Sequence, residues 1–379
     1  MTSPAGTILI DATSVPPNRG GVGRYLDGII PALAALGENV SVICKPDDAV
    51  HFRASGLTVL VAPAGTTSTA RRFLWEQVSL PRIAKRAGAN IIHSPHYTFP
   101  LFTRRARVVT IHDLTFFSHP ELHTRVKRLF FRTWVRLSRL FGTVVIAPSS
   151  ATATEYVRVT GARPDRVVVA LHGYDHEHFQ VPTDTDVAAL SRAFDPPIDR
   201  WIAFLGTLEP RKNVVALIEG FEAATSDLPV GERPSLLLAG GPGWDTRIEP
   251  AIAAAVERGF DVRKLGYLPL DALSAFLGGA EIVAYPSLGE GFGLPVLEAM
   301  ATGACVLTTR ELALPEVGGD AVAYTDTDAS SITSSLTELL QNAAERHRLA
   351  AAAVERAHEF TWARCAVSHT HAYTRAGVL

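Results

Sequence analysis

The stretch Ser287-Leu-Gly-Glu290-Gly-Phe292-Gly-Leu294-Pro-Val-Leu-Glu298-Ala-Met-Ala-Thr-Gly303 decides the reading of this chain. The run Glu281-Ile-Val-Ala-Tyr-Pro286 before it and Cys305-Val-Leu-Thr-Thr after it have the composition of short buried strands. Strand, glycine loop, helix and strand make the βαβ unit of a parallel sheet. Gly289, Gly291 and Gly293 remove three side chains just before the helix, and Pro295 suits a first helical position. Backbone N–H groups at such a helix start favour an anion, typically a phosphate. Two carboxylates flank the loop, Glu290 within it and Glu298 one turn into the helix. Neither belongs beside a phosphate, so their natural partners are the neutral hydroxyls of a sugar and a ribose. The simpler alternative gives Glu298 to the helix dipole and Glu290 to solvent. Two glutamates combined with three glycines favour the ligand reading.

The segment "GEGFGLPVLEAMATG" resembles the signature of the retaining GT-B glycosyltransferases of family four, which move a sugar from a nucleotide diphosphate donor. The resemblance implies an α/β protein with two Rossmann-like domains facing a central cleft. It further implies that Glu290 holds donor-sugar hydroxyls and that the backbone of Gly291, Phe292, Gly293 and Leu294 binds diphosphate or sugar. Glu298 would then hold the ribose.

Length and composition fit this reading. A chain of 379 residues is long for one core and suits two domains. With 47% hydrophobic residues and a formal charge of −2, nothing points to nucleic acid. Residues 1–6 lack a basic leader region, and no apolar run is long enough to span a bilayer. Cys44, Cys305 and Cys365 are odd in number and outside any metal-ligand motif, which places the chain in a reducing cytoplasm. The expected division is 1–181 and 182–359, with 360–379 rejoining the first domain. Residues 180–200, rich in Pro, Asp and Ala, read as a linker with one short helix.

In the first half, Ile8-Leu-Ile-Asp11 reads as a strand, and Asn18-Arg-Gly20-Gly21-Val-Gly23-Arg24-Tyr25 as a glycine loop entering a helix that runs to about Leu36. Further strands are expected at 39–44, 57–61, 90–93, 108–111, 143–147 and 167–170. Ligands of such sheets bind at the carboxyl ends of strands, which draws attention to His112-Asp113. The family resemblance assigns Gly20 and Gly21 to the donor, with Arg24 a weaker candidate, and His112 to the transferred sugar or its transition state. His93 and His96 read as structural. A zinc site joining them to His112 is rejected, because no carboxylate or Cys spacing supports one.

In residues 122–141, Val126, Leu129, Phe130, Trp134, Leu137 and Phe141 recur at helical spacing, with Arg125, Lys127, Arg128, Arg132, Arg136 and Arg139 around them. Packing of the apolar stripe on the sheet is favoured over a peripheral contact with an anionic membrane.

In the second half, Trp201-Ile-Ala-Phe-Leu205 opens a new sheet, followed by Gly206-Thr207-Leu-Glu209-Pro210-Arg211-Lys212-Asn213, which places two cations at another helix start. Relatives of the resembled family carry Gly-Arg here and a Lys five residues after that Arg. Lys212 matches the Lys, Thr207 stands where the Arg would be, and Arg211 is the candidate replacement. Strand 235–239 leads into Gly240-Gly241-Pro-Gly243, and backbone around Tyr267 and Leu268 would read the base. The triplets Asp184-Thr-Asp186 and Asp326-Thr-Asp328 read as turn formers, so neither metal nor resident cofactor is expected. The diphosphate would be met by Lys212, Arg211 and the helix start near Leu294.

The combination of "GGVGRY", "IHDLTFF", "GTLEPRKN" and the opening stretch resembles bacterial α-mannosyltransferases that use GDP-mannose, with an α-mannoside chain or lipid-linked glycan as acceptor. UDP-glucose and UDP-N-acetylglucosamine are the alternative donors. A reading from another class is a non-catalytic nucleotide-sugar-binding assembly partner.

Overall fold

The computed structural model describes residues 7–15, 19–54 and 56–377. The leader reading of residues 1–6 and the Asn18 end of the first glycine loop lie outside the described residues. The chain divides into two compact units, one running to Gly173 and resuming at Phe360, the other spanning Tyr174–Glu359.

The first unit is built on seven parallel strands: β1 (Ile8–Asp11), β2 (Val40–Cys44), β3 (Thr58–Val61), β4 (Ile91–Ser94), β5 (Ala106–Thr110), β6 (Val144–Ala147) and β7 (Val167–Val169). Their order in the sheet is β3-β2-β1-β4-β5-β6-β7. Ile8 pairs with Val40 on one side and Ile91 on the other, so the winding reverses between β1 and β4. β1, β4 and β6 are buried throughout. That burial is why they read as continuous apolar runs: helices cover both faces of a parallel sheet.

Helix Gly20–Ala35 and the C-terminal helix Trp362–Gly377 lie together on this sheet. Gly28 makes the approach possible, since a Cβ there would stand 2.0 Å from the Trp362 ring. A buried polar chain then fixes the terminal helix. Tyr25 Oη lies 2.6 Å from His369 Nε2 and 3.0 Å from Thr110 Oγ1. His93 spends Nε2 on Thr110 at 2.9 Å and Nδ1 on the Tyr373 hydroxyl at 2.9 Å. Burial, with His369 and His112 nearby, pushes the His93 pKa well down, so the ring is neutral.

Helix Arg125–Leu140 starts at Thr124, whose hydroxyl accepts from Lys127 N. It departs in part from the packing expectation. Trp134, Val135 and Ser138 are buried, while Val126 is 80% and Leu129 70% exposed. The stripe holds two faces: one carrying Trp134 and Ser138 meets the core, and the other, carrying Val126 and Leu129, stays uncovered, with Phe130 between them against Phe73.

The second unit has six parallel strands: β8 (Trp201–Leu205), β9 (Ser235–Ala239), β10 (Val262–Gly266), β11 (Ile282–Tyr285), β12 (Val306–Thr309) and β13 (Ala323–Thr325). Their order is β10-β9-β8-β11-β12-β13, so the reversal falls between β8 and β11. β13 was not expected: unlike β7, whose three edge residues are all valine, Ala323-Tyr-Thr325 offers no run of β-branched residues. Both Asp-x-Asp triplets cap helices rather than form turns. Thr183 and Asp186 make a reciprocal capping box at helix Asp184–Ala193, and Asp328 accepts from Ser331 N at the start of helix Ala329–Gln341. Among the described residues no three His, Cys, Asp or Glu side chains group as metal ligands, and no helix is long and apolar enough to cross a membrane. All three cysteines are buried and free.

Candidate active site

The second unit's reversal brings the loop after β8 against the loop after β11. Leu288 N donates to Arg211 O at 2.8 Å, Ser287 Oγ donates to the same carbonyl at 3.1 Å, and Thr309 Oγ1 donates to Ser287 O at 2.7 Å. These bonds fix the two loops side by side at the carboxyl edge, where such sheets bind ligands.

Glu290 is the hub. Its Oε1 accepts from Lys212 Nζ at 2.6 Å, from Ser287 Oγ at 2.8 Å and from Tyr285 Oη at 2.9 Å, while Oε2 pairs with Arg211. The Tyr285 hydroxyl itself accepts from Lys212, whose ammonium also stands 4.8 Å from the ring centre. Arg211 further donates to Gly289 O at 2.7 Å and to Glu209 Oε1 at 2.7 Å. Burial alone would raise the Glu290 pKa, but Arg211 and Lys212 hold it down at about 2. Two cations share this carboxylate, so burial and the adjacent Arg211 lower the Lys212 pKa against the pull of Glu290. Burial first and then Glu290 push the Tyr285 pKa well up, keeping the phenol protonated.

Helix Leu294–Ala301 begins one step further on. Its N-cap Gly293 has φ +102°, a left-handed conformation, and a Cβ there would stand 2.8 Å from Leu314. Glu298 is buried on this helix, and Gly291 and Phe292 are buried in the loop. Across the sheet, the Gly240–Gly243 loop lies against Gly206–Glu209. A Cβ on Gly243 would stand 1.7 Å from Leu208 O, and one on Gly241 2.2 Å from Tyr267 Oη. Tyr267 is 57% exposed and Thr207 is also exposed, while Leu268 is partly covered.

The structure therefore gathers Arg211, Lys212, Glu290, Gly291, Phe292, Gly293, Leu294 and Glu298 on adjoining segments, with Thr207 on the loop after β8 and Tyr267 and Leu268 on the loop after β10. Tyr285, Ser287 and Glu209 were missed by sequence reasoning. Tyr285 ends an apolar strand and gave no polar signal, although its place at a strand's carboxyl end could have singled it out.

In the first unit, His112 lies just past β5. Its Nε2 is 2.7 Å from Pro95 O, and since a carbonyl only accepts, Nε2 carries the proton and Nδ1 is the acceptor. Burial lowers the His112 pKa against that bond and Asp113, so the ring is neutral. His112 packs edge-on against Tyr25 at 5.1 Å. Gly20 and Gly21 open the helix that carries Tyr25, Gly20 with φ +45° and Gly21 exposed, rather than forming a separate loop. Arg24 is partly buried on the same turn.

The comparisons with known proteins agree with this architecture. The family model described as Glycosyltransferase Family 4 matches residues 19–178, and the one described as Glycosyl transferases group 1 matches residues 194–356. An O-antigen chain mannosyltransferase B of Escherichia coli is 28% identical over 288 residues, covering 75% of this chain and 74% of the relative. A D-inositol 3-phosphate glycosyltransferase of Corynebacterium efficiens is 31% identical over 57% of this chain and 52% of its own length. The serotype-specific mannosyltransferase WbdA of Escherichia coli is 29% identical over 61% of this chain, which spans only 28% of that relative. Among solved structures, Anabaena HepE in complex with UDP-glucose superposes with a TM-score of 0.75 at 19% identity, covering 96% of this chain and 97% of its own. The chain belongs to the family-4 glycosyltransferases, with the GT-B fold.

Proposed function

We propose that this glycosyltransferase moves mannose from GDP-mannose to a hydroxyl of an α-mannoside or lipid-linked glycan, retaining the anomeric configuration. The observation that carries the chemistry is the cluster of Arg211 and Lys212 on Glu290. Two cations wait where a diphosphate leaving group gains charge as the sugar departs, which is where fixed charge lowers a barrier most. The mannosyl part rests on the mannosyltransferase names of two relatives at 28% and 29% identity.

Glu290 keeps both cations in place, and its carboxylate takes the donor-sugar hydroxyls. The amides around Gly291–Leu294 and the helix start meet the phosphates. Glu298 accepts from the ribose, and backbone near Tyr267 and Leu268 reads the base. His112, neutral and with Nδ1 as acceptor, serves the transferred sugar. The acceptor oxygen bonds to the anomeric carbon as the bond to the diphosphate oxygen breaks, and its proton passes to the departing diphosphate on the same face. The reading calls for no resident cofactor, no metal ion and no protein nucleophile. The exposed face of helix Arg125–Leu140, with Val126 and Leu129 beside exposed Arg125, suits peripheral contact with an anionic lipid surface from the cytoplasmic side.

The test is incubation with GDP-mannose, UDP-glucose or UDP-N-acetylglucosamine and methyl α-mannoside, read by mass and by the anomeric proton. Addition of one α-linked hexose from GDP-mannose is expected. Product from UDP-glucose alone would contradict the donor, and a β-linked product would contradict retention.

A further inference from the structure

The first unit holds a cavity of about 390 Å³ at the amino edge of its sheet, the edge away from His112. Asn90 just before β4, Ala106 at the start of β5 and Gly142 shortly before β6 line it, as does Gly377, the last residue of helix Trp362–Gly377. The five residues of β5, roughly 17 Å of extended chain, separate this edge from His112. Three arginines line the cavity, Arg104, Arg105 and Arg107, and no Asp or Glu does.

The protein leaves this positive charge unmatched. Among the described residues the guanidiniums of Arg104 and Arg105 have no hydrogen-bond or ion-pair partner; Arg104 is exposed and Arg105 half-buried, so both can be reached. Arg107 spends its donors on the main chain, Nε on Pro100 O at 2.9 Å and Nη2 on Leu101 O at 2.7 Å and Thr103 O at 2.8 Å. Those bonds shape the loop of residues 100–105 and bring no carboxylate, and burial lowers the Arg107 pKa with no acid to oppose it. Helices Arg125–Leu140 and Trp362–Gly377 both end at this edge, and each C-terminus carries roughly half a negative charge. Together they offset about one of the three cations. Arg166 already donates to Gly142 O at 3.3 Å, so serving the helix ends does not account for the arginines.

We propose that this cavity binds a phosphoester, with Arg104 and Arg105 holding the phosphate oxygens and Arg107 as the positioning residue that shapes the loop carrying them. The planar fork of a guanidinium meets two phosphate oxygens at once. A neutral ligand would leave both charges unmatched. The volume falls in the range of small-ligand sites and has room for more than a phosphate, and Asn90 and Thr103 add neutral polar groups for the hydroxyls of an attached polyol. Two sources share this chemistry. One is a free polyol phosphate, and the other is a phospholipid headgroup, which Phe102, 81% exposed in the same loop, would meet with an apolar side chain. The inference is independent of the transferase reading.

The experiment has two arms: calorimetric titration with glycerol 3-phosphate in excess GDP, which keeps the probe off Arg211 and Lys212, and co-sedimentation with vesicles of phosphatidylglycerol in phosphatidylcholine. Both are run on the wild type, on the double variants Arg104→Gln/Arg105→Gln and Arg104→Lys/Arg105→Lys, and on Arg53→Gln/Lys85→Gln, which removes two exposed charges outside the cavity. An unchanged melting temperature shows that each is folded. Wild type and the Arg53/Lys85 variant should bind alike, the Gln pair at least tenfold more weakly, and the Lys pair in between. Such a pattern with glycerol 3-phosphate assigns the site to a free phosphoester, and the same pattern with vesicles alone assigns it to a lipid headgroup; either supports the proposal. Equal binding by wild type and the Gln pair, an equal loss in the Arg53/Lys85 variant, or no binding in either arm overturns it.

Discussion

Lys212 Nζ donates to Glu290 Oε1 across 2.6 Å, a charged bond among those that join the loop after β8 to the loop after β11. Both groups are buried, so neither is replaceable by water. The site is thus close to neutral before any donor arrives, with Arg211 and Lys212 offset by Glu290 and Glu209. On the proposed reading, a diphosphate would draw on cations that are already held in place and not recruit mobile ones.

Removing Glu290 should therefore separate binding from chemistry. Glu290→Gln leaves Arg211 and Lys212 with Glu209 as the one remaining carboxylate paired to them, so GDP affinity should hold or rise while transfer falls at least a hundredfold. Steady-state kinetics beside calorimetry read both. Glu290→Ala should also lower stability by roughly 3–5 kcal/mol, as expected when one partner of a buried pair is deleted, measured by urea unfolding.

Tyr285→Phe tests the bridge more gently. The hydroxyl accepts from Lys212 and donates to Glu290 at 2.9 Å, and the ring otherwise stays the same. Loss of one buried hydrogen bond with a charged partner should cost about 1–3 kcal/mol and slow transfer several-fold. Unchanged stability and rate would mean the phenol only fills space.

Lys212 and Glu290 were both legible in the sequence because glycine loops after strands are rare patterns and the resembled family carries those residues. The parallel α/β sheets were legible too, since buried strands such as Ile8–Asp11 read as unbroken apolar runs. Tyr285 and Ser287 were not, because their role comes from standing next to a loop more than 70 residues away in sequence. Glu76 escaped for a similar reason: at (i, i+4) from Arg72 on helix Thr69–Val78 it looks like half of an ordinary surface pair, and only the fold buries it. The apolar stripe of helix Arg125–Leu140 was seen, yet periodicity alone could not say which of its two faces the core takes.

Glu298→Ala should weaken GDP binding about tenfold or more, the ribose having lost its acceptor. Equal affinity by calorimetry would remove the ribose assignment and return Glu298 to the helix.

His112→Asn should lower turnover more than donor affinity, since the role proposed for this neutral ring, held by Pro95 O, is toward the sugar and not the nucleotide. A change in donor KM alone would oppose this.

Glu76 makes stability depend on pH in a defined direction. Burial, against the pull of Arg72, raises its folded pKa to about 7 from the ordinary value of 4.5, so the folded protein holds a proton that the unfolded chain has released between those values. Stability should fall as pH rises from about 4.5 to about 7, and Glu76→Gln should flatten that slope in urea unfolding series.

The central claim, that the Lys212–Glu290 cluster serves a guanosine diphosphate sugar, is tested most directly by calorimetric titration of the protein with GDP and with UDP, repeated on Lys212→Met. The account predicts tighter binding of GDP than of UDP, weakened at least tenfold by Lys212→Met. Preference for UDP, or GDP affinity indifferent to Lys212, would contradict it.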